Sequence, residues 1–200
     1  MMTFDIDRIK DTIQIPEHRI WNIYLYGSRV YGNHTESSDY DLLVLASSIN
    51  AHTEYNDGEY NIHVRTKDVF QDQLWKHQMN PMECMFAPDY AKLQERVDFG
   101  FIPKISSVKR TALSQSHSSW NGARFKMREG DIVRGMKSMW HSIRMLQFAL
   151  QIVREGTITD FSVANECWTE INESEHIEWK DFKGMLLPRK RDLERELRQA

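Results

Sequence analysis

Two aspartates, Asp39 and Asp41, stand one residue apart at the head of an apolar run, "SDYDLLVLASS". In an extended strand, residues i and i+2 project to the same side, so the two carboxylates share a face. Side by side they repel, and a hard divalent cation held through oxygen resolves that repulsion. Upstream, Gly27 ends an earlier apolar run, "RIWNIYLYG", and Ser28 begins a short helix, "SRVYG". A glycine lets a ligand approach the backbone closely, and N–H groups at a helix start attract phosphate oxygens. Ser28 adds a hydroxyl, with Arg29 beside it, and Ser38 leads into the aspartates. A phosphate cradle next to a carboxylate pair has the makings of a nucleoside-triphosphate site. A metal there would polarise the α-phosphate and neutralise departing pyrophosphate.

Periodicity supplies the elements that must hold these residues. Phe4, Ile6, Ile9 and Ile13 form a helix-compatible stripe ended by Pro16. Residues 19–27, 40–48 and 59–66 are rich in β-branched, aromatic and aliphatic side chains and read as strands, the third opened by an "NDG" turn. From residue 67 the period turns helical, with Val69, Phe70, Leu74 and His77 on one face, until "NPMECMFAPDY" breaks the helix and opens a short segment. Beyond about residue 103 strand patterns vanish. Residues 131–154 carry a wide apolar stripe that includes Ile132, Met136, Met139, Trp140, Ile143, Leu146, Leu150 and Val153, closed by "EGTITD". Residues 189–198, "RKRDLERELR", read as an exposed, charge-balanced helix. The pattern predicts an α+β chain: a strand-helix core over 1–102, and a helical region over 103–200 packed on it.

The 200 residues carry 26 basic and 29 acidic side chains, a net charge of −3. No global field attracts nucleic acid, and long duplex DNA is disfavoured as a partner, whereas a short RNA end needs less positive surface. Cys84 and Cys167 lack zinc-like spacing and suit a reducing cytoplasm. No signal-peptide pattern opens the chain and no apolar run is long enough for a membrane span, so a soluble cytoplasmic protein is expected.

"YGSRVYGNHTESSDYDLLV" resembles the signature of the DNA polymerase β-like nucleotidyltransferase superfamily, a Gly-Ser element followed by Asp-x-Asp. "KDVFQDQLWKHQMNPMECMFAP" and "KSMWHSIRMLQFALQIVREGTI" further resemble segments of its RNA-repair-associated branch, RlaP. The resemblance implies a small mixed sheet flanked by helices and a magnesium-dependent transfer of a nucleoside monophosphate from an NTP, with manganese as an alternative ion. Gly27 and Ser28, with Arg29 and Ser38, would hold the triphosphate, and Asp39 and Asp41 would ligate the metal.

Members of the superfamily usually add a third carboxylate on the next strand. Here that strand reads "GEYNIHVRT", with Asn61 at the expected position and Glu59 and His63 two residues to either side. Three readings stay open: Glu59 substitutes, His63 or water acts as base, or the protein binds nucleotide and catalyses poorly.

Lys137, His141 and Arg144 fall at i, i+4 and i+7, on one helical face. They read either as phosphate donors, which the resemblance favours, or as a solvated polar face. Glu83, among apolar neighbours, reads as a structural acid pairing with one of the basic helix residues. Residues 107–128 interleave five basic residues with Trp120 and Phe125, either a single-strand-binding surface or a helix with ordinary buried aromatics. Tyr24, Tyr26 and Tyr31 could stack a base, although Tyr24 and Tyr26 fit the sheet better. His34, His52, His77, His117 and His176 show no metal spacing. The leading reading is an enzyme acting on an RNA end, a protein side chain or a small molecule. The alternatives are a catalytically weak, antitoxin-like nucleotide-binding module and a helical oligomer scaffold. The oligomeric state and the acceptor are not written in the sequence.

Overall fold

The structure, a computed structural model, describes residues 4–47, 52–175 and 178–200. Expectations for Ser48 and His176 therefore lie outside the described residues. The chain forms two compact units: Met1–Lys76 with Asn80–Ile102, and His77–Met79 with Pro103–Ala200.

In the first unit, strands β1 (Ile20–Tyr26), β2 (Tyr40–Ala46), β3 (His52–Asn56), β4 (Tyr60–Thr66) and β5 (Lys92–Glu95) make one sheet in the order β3-β4-β2-β1-β5. β2 and β4 run parallel and the other pairs antiparallel, a mixed sheet as expected. The central strands are the apolar ones: Ile23, Leu25, Leu42, Val44, Leu45, Ile62 and Val64 are all fully buried. β3 and β5 do not read as strands in the sequence. Each lies at an edge, pairs on one side, and has a mostly polar sequence, "HTEYN" and "KLQE".

The helices of this unit are α1 (Ile6–Ile13), α2 (Ser28–Tyr31), α3 (Lys67–Trp75) and α4 (Met79–Met85). Asp5 caps α1 through the Arg8 N–H at 2.9 Å, and Thr66 caps α3 through Val69. Pro81 falls in the first turn of α4, where a missing N–H costs nothing. The sequence places His77 on the face of α3, but that helix ends at Trp75. His77 instead adopts φ 56° and accepts a hydrogen bond from the Lys104 N–H at 2.9 Å.

The second unit is helical: α5 (Ile105–Arg128), α6 (Ile132–Glu155), α7 (Asn165–Glu173) and α8 (Trp179–Gln199). Met139, Trp140, Ile143, Leu146 and Leu150 of the expected stripe are buried, and Gly156 stops α6 at φ 78°. Gly135 lets α6 close on α5, since a Cβ there would lie 2.4 Å from the Met127 Cγ. The charge-balanced C-terminal helix is not exposed all round. Leu197 is fully buried, and Lys190 is buried as well, paired with Glu194 and lying over the Trp120 ring. No helix among the described residues is long and apolar enough to cross a membrane.

Candidate active site

The site is built at one end of β1, β2 and β4. β1 ends at Tyr26, and Gly27 turns the chain with φ 80° and ψ −159°, a conformation that L side chains rarely adopt. Glycine is required there for a second reason. A Cβ on Gly27 would stand 2.1 Å from the Asp41 Oδ2, so the carboxylate rests against the bare Cα. α2 follows at once, and Gly27 O accepts from the Val30 and Tyr31 N–H groups. The first-turn N–H groups of a helix, here Ser28 and Arg29, lack intrahelical acceptors and face the turn. Gly32, at φ 77°, closes the element after four residues.

Asp41 is fixed by register. It pairs with Tyr26 on β1 and with Asn61 on β4. Directly paired residues of neighbouring strands share a face, so Asp41 and Asn61 lie side by side. The Asn61 Nδ2 donates to the Asp41 Oδ1 at 3.0 Å and lies 3.4 Å from the His63 Nε2. The Asn61 Oδ1 is buried without a hydrogen-bond partner, a state that native interiors rarely tolerate. Burial raises the proton affinity of the neighbouring Tyr26 phenol, and the Asp41 carboxylate raises it further.

Asp39 immediately precedes β2, two residues before Asp41. The Ser38 Oγ accepts from the Thr35 N–H at 2.9 Å and closes the turn that delivers the aspartates. Arg29 likewise serves that segment. Its Nε donates to the Asp39 carbonyl at 3.3 Å, its Nη2 donates to the Ser38 carbonyl, and its guanidinium lies 3.7 Å from the Tyr40 ring centroid. The side chain expected to hold nucleotide thus ties the cradle helix to the chain bearing both aspartates.

Glu59 goes elsewhere. Its carboxylate pairs with the Arg8 guanidinium, whose Nη2 also meets the Asp57 Oδ2 at 3.0 Å. Glu83 accepts from the Tyr31 hydroxyl at 2.5 Å, with both side chains buried. The bond ties α2 to α4 and keeps Tyr31, one of the rings the sequence offers for base stacking, in the core. Tyr24 packs on Phe70 in the core, as the sheet reading expects. Arg8 escapes sequence reasoning because its partners lie 49 and 51 residues away.

The oxygen donors fit a hard cation. Among the described residues, no group of three or more His, Cys, Asp and Glu side chains is placed to hold a metal. Magnesium needs only one or two carboxylates when substrate phosphates and waters complete its shell. Asp39 and Asp41 are the two candidates. A half-turn of the Asn61 amide would add its orphaned Oδ1.

Lys137, His141 and Arg144 lie on α6 in the second unit and do not form a solvated face. Arg144 is buried, its guanidinium 5.0 Å from the Trp140 ring centroid and 5.4 Å from that of Phe148. Burial holds the proton affinity of His141 well below the ordinary imidazole range, reinforced by Arg144, Lys137 and Lys126. The three cations thus oppose protonation of the imidazole.

No curated protein matches the sequence. Among solved structures, a nucleotidyltransferase-like protein from Exiguobacterium sibiricum 255-15 is 13% identical, with 96% of this chain and 75% of that one covered and a TM-score of 0.38. Spectinomycin adenyltransferase AAD(9) from Enterococcus faecialis, solved with ATP and spectinomycin, is 12% identical, with 96% and 98% covered and a TM-score of 0.51. At that identity the likeness extends to the fold. Residues 8–85, which contain Gly27, Ser28, Asp39, Asp41 and Asn61, match the family described as Polymerase beta, Nucleotidyltransferase.

Proposed function

We propose that this protein is a magnesium-dependent nucleotidyltransferase that moves a nucleoside monophosphate from an NTP to an acceptor hydroxyl. The observation that carries the reading is the placement of the Asp41 carboxylate, against the bare Cα of Gly27 and in register with Asn61. The phosphate-binding turn and the acidic strand thereby become one site. The backbone N–H groups of Ser28 and Arg29 and the Ser28 hydroxyl bind the triphosphate. Arg29 holds the aspartates in place beside it, and Asp39 and Asp41 hold magnesium, or manganese, which supplies Lewis acidity at the α-phosphate. The acceptor oxygen forms a bond to the α-phosphorus as the bond to the bridging oxygen breaks. Pyrophosphate leaves with that electron pair, and the acceptor proton passes to water or His63. The resemblance to the RNA-repair-associated branch puts an RNA end first among acceptors, ahead of a protein side chain or a small molecule. The ATP in the AAD(9) structure makes ATP the first donor to try.

Asn61 favours a second reading, a nucleotide-binding module with weak catalysis. It offers Asp41 an amide donor where a carboxylate would add charge, and Glu59 is committed to Arg8.

The test supplies each labelled NTP with magnesium or manganese to the wild type and to Asp41→Asn, with an RNA pool, a lysate and the protein itself as acceptors. Transfer should require Asp41, with at least a hundredfold loss in the variant, on the order of 3 kcal/mol or more. Equal labelling by both proteins would remove the mechanism. Asn61→Asp separates the two readings: under weak catalysis it should raise transfer about tenfold, about 1.4 kcal/mol of barrier. If Asn61 is already the competent residue, the rate should fall.

A further inference from the structure

α5 stands apart from the other long helices in its charge. Residues Ile105–Arg128 include five basic side chains and no acid, in a protein whose net charge is −3. Helix α8 shows what an ordinary solvated face looks like: Arg189 meets Glu166 and Glu170, and Arg195 meets Asp192. Among the described residues Arg110, Arg124 and Arg128 have no such ion pairs. Arg110, His117, Asn121, Arg124, Phe125 and Arg128 recur at intervals that place them on one side of α5, and all six are exposed. The aromatics of this helix divide accordingly. Trp120 is 7% exposed and packs on Trp179, whereas Phe125 is 64% exposed. A large apolar ring held in water between two unpaired arginines has no structural task in the helix.

We propose that this face of α5 binds a single strand of nucleic acid. Arg124 and Arg128 are separated by about 6 Å along the helix axis, at about 1.5 Å per residue. At that separation the two guanidiniums can meet different phosphates of one strand. Phe125 sits between them, placed to stack on an unpaired base, and Arg110 extends the track toward the other end of the helix. A duplex hides its base faces from such a ring. One aromatic on an otherwise polar face is too little apolar surface for a membrane. The inference rests on the proposed transfer only in naming the bound strand as carrier of the acceptor hydroxyl.

The experiment measures binding of labelled 12-nucleotide oligo(U) and oligo(dT) by fluorescence anisotropy over a salt series, without NTP. A duplex of the same length, anionic vesicles and polyglutamate are run beside them. The wild type should bind single strands at low salt, and the RNA and DNA arms show which sugar is preferred. Arg124→Ala/Arg128→Ala should weaken binding at least tenfold and flatten the slope of log K against log salt by about 1.4, at about 0.7 per phosphate. Phe125→Ala should weaken it about tenfold with the slope unchanged, as loss of stacking requires. Lys180→Ala/Lys183→Ala removes two exposed charges from α8 and should change little. The proposal is overturned if the wild type does not bind, if both double variants weaken it equally, or if duplex, vesicles or polyglutamate bind as well as the single strands. Asp41→Asn should bind oligonucleotide like the wild type. A wild type that binds the strand but transfers no label would overturn the catalytic reading and leave this one standing, and transfer to RNA undiminished by the α5 variants would do the reverse.

Discussion

The two groups of polar residues that the sequence singles out are built on opposite principles. At the ends of β1, β2 and β4, position comes from the backbone: strand register sets Asp41 beside Asn61, and a positive-φ glycine makes room for the carboxylate. On α6, position comes from packing: Lys137 stays in water while Arg144 is drawn among aromatic rings and His141 is kept neutral. Period-2 spacing is the basis for pairing Asp39 with Asp41, and period-3.6 spacing for grouping Lys137, His141 and Arg144. Only in the strand case does the shared side also fix the chemistry, because the partner strand is set by the same ladder.

The largest effect expected on this comparison comes from the glycine. Gly27→Ala pushes a methyl group into the Asp41 carboxylate and imposes a φ that alanine resists. The strain alone is on the order of 1–3 kcal/mol, and the displaced carboxylate should lower transfer more than a hundredfold. Thermal denaturation and initial rates measured together check both. A fully active Gly27→Ala would show that contact with the turn is not what places Asp41.

A smaller effect tests whether Arg29 positions or binds. Arg29→Ala removes two hydrogen bonds to carbonyls and the contact with Tyr40. Turnover should fall about tenfold, about 1.4 kcal/mol, with metal-free nucleotide affinity unchanged. Arg29→Lys should restore only part, since an ammonium cannot reproduce the planar fork. Equal losses in affinity and turnover would make Arg29 a phosphate ligand.

What was legible in the sequence follows the same division. Gly27, Ser28, Asp39 and Asp41 lie within fifteen residues of one another, and the buried strands that carry them are apolar enough to show. β3 and β5 were hidden because an edge strand needs no apolar face. The partner of Glu59 was hidden because it is Arg8, in another element and 51 residues away. Of the two readings of the α6 residues, the solvated face failed for a related reason. Spacing shows that Lys137, His141 and Arg144 share a side, and nothing local reveals that Trp140 and Phe148 wrap the last of them.

The mildest test addresses that helix through pH. His141 is held below the ordinary imidazole range in the folded protein, by burial first and then by Arg144, Lys137 and Lys126. In the unfolded chain the same imidazole titrates near about 6.5. Below that pH the unfolded state takes up a proton that the folded state refuses, so stability falls as pH drops and is fully retained above it. His141→Gln removes the titration while keeping a neutral polar side chain. Urea midpoints between pH 8 and pH 5 should show a wild-type loss on the acid side that the variant lacks, and other histidines cancel in the difference. Parallel curves for the two proteins would mean that His141 gains its proton as easily folded as unfolded, and that the cationic cluster on α6 is open enough for water to screen it.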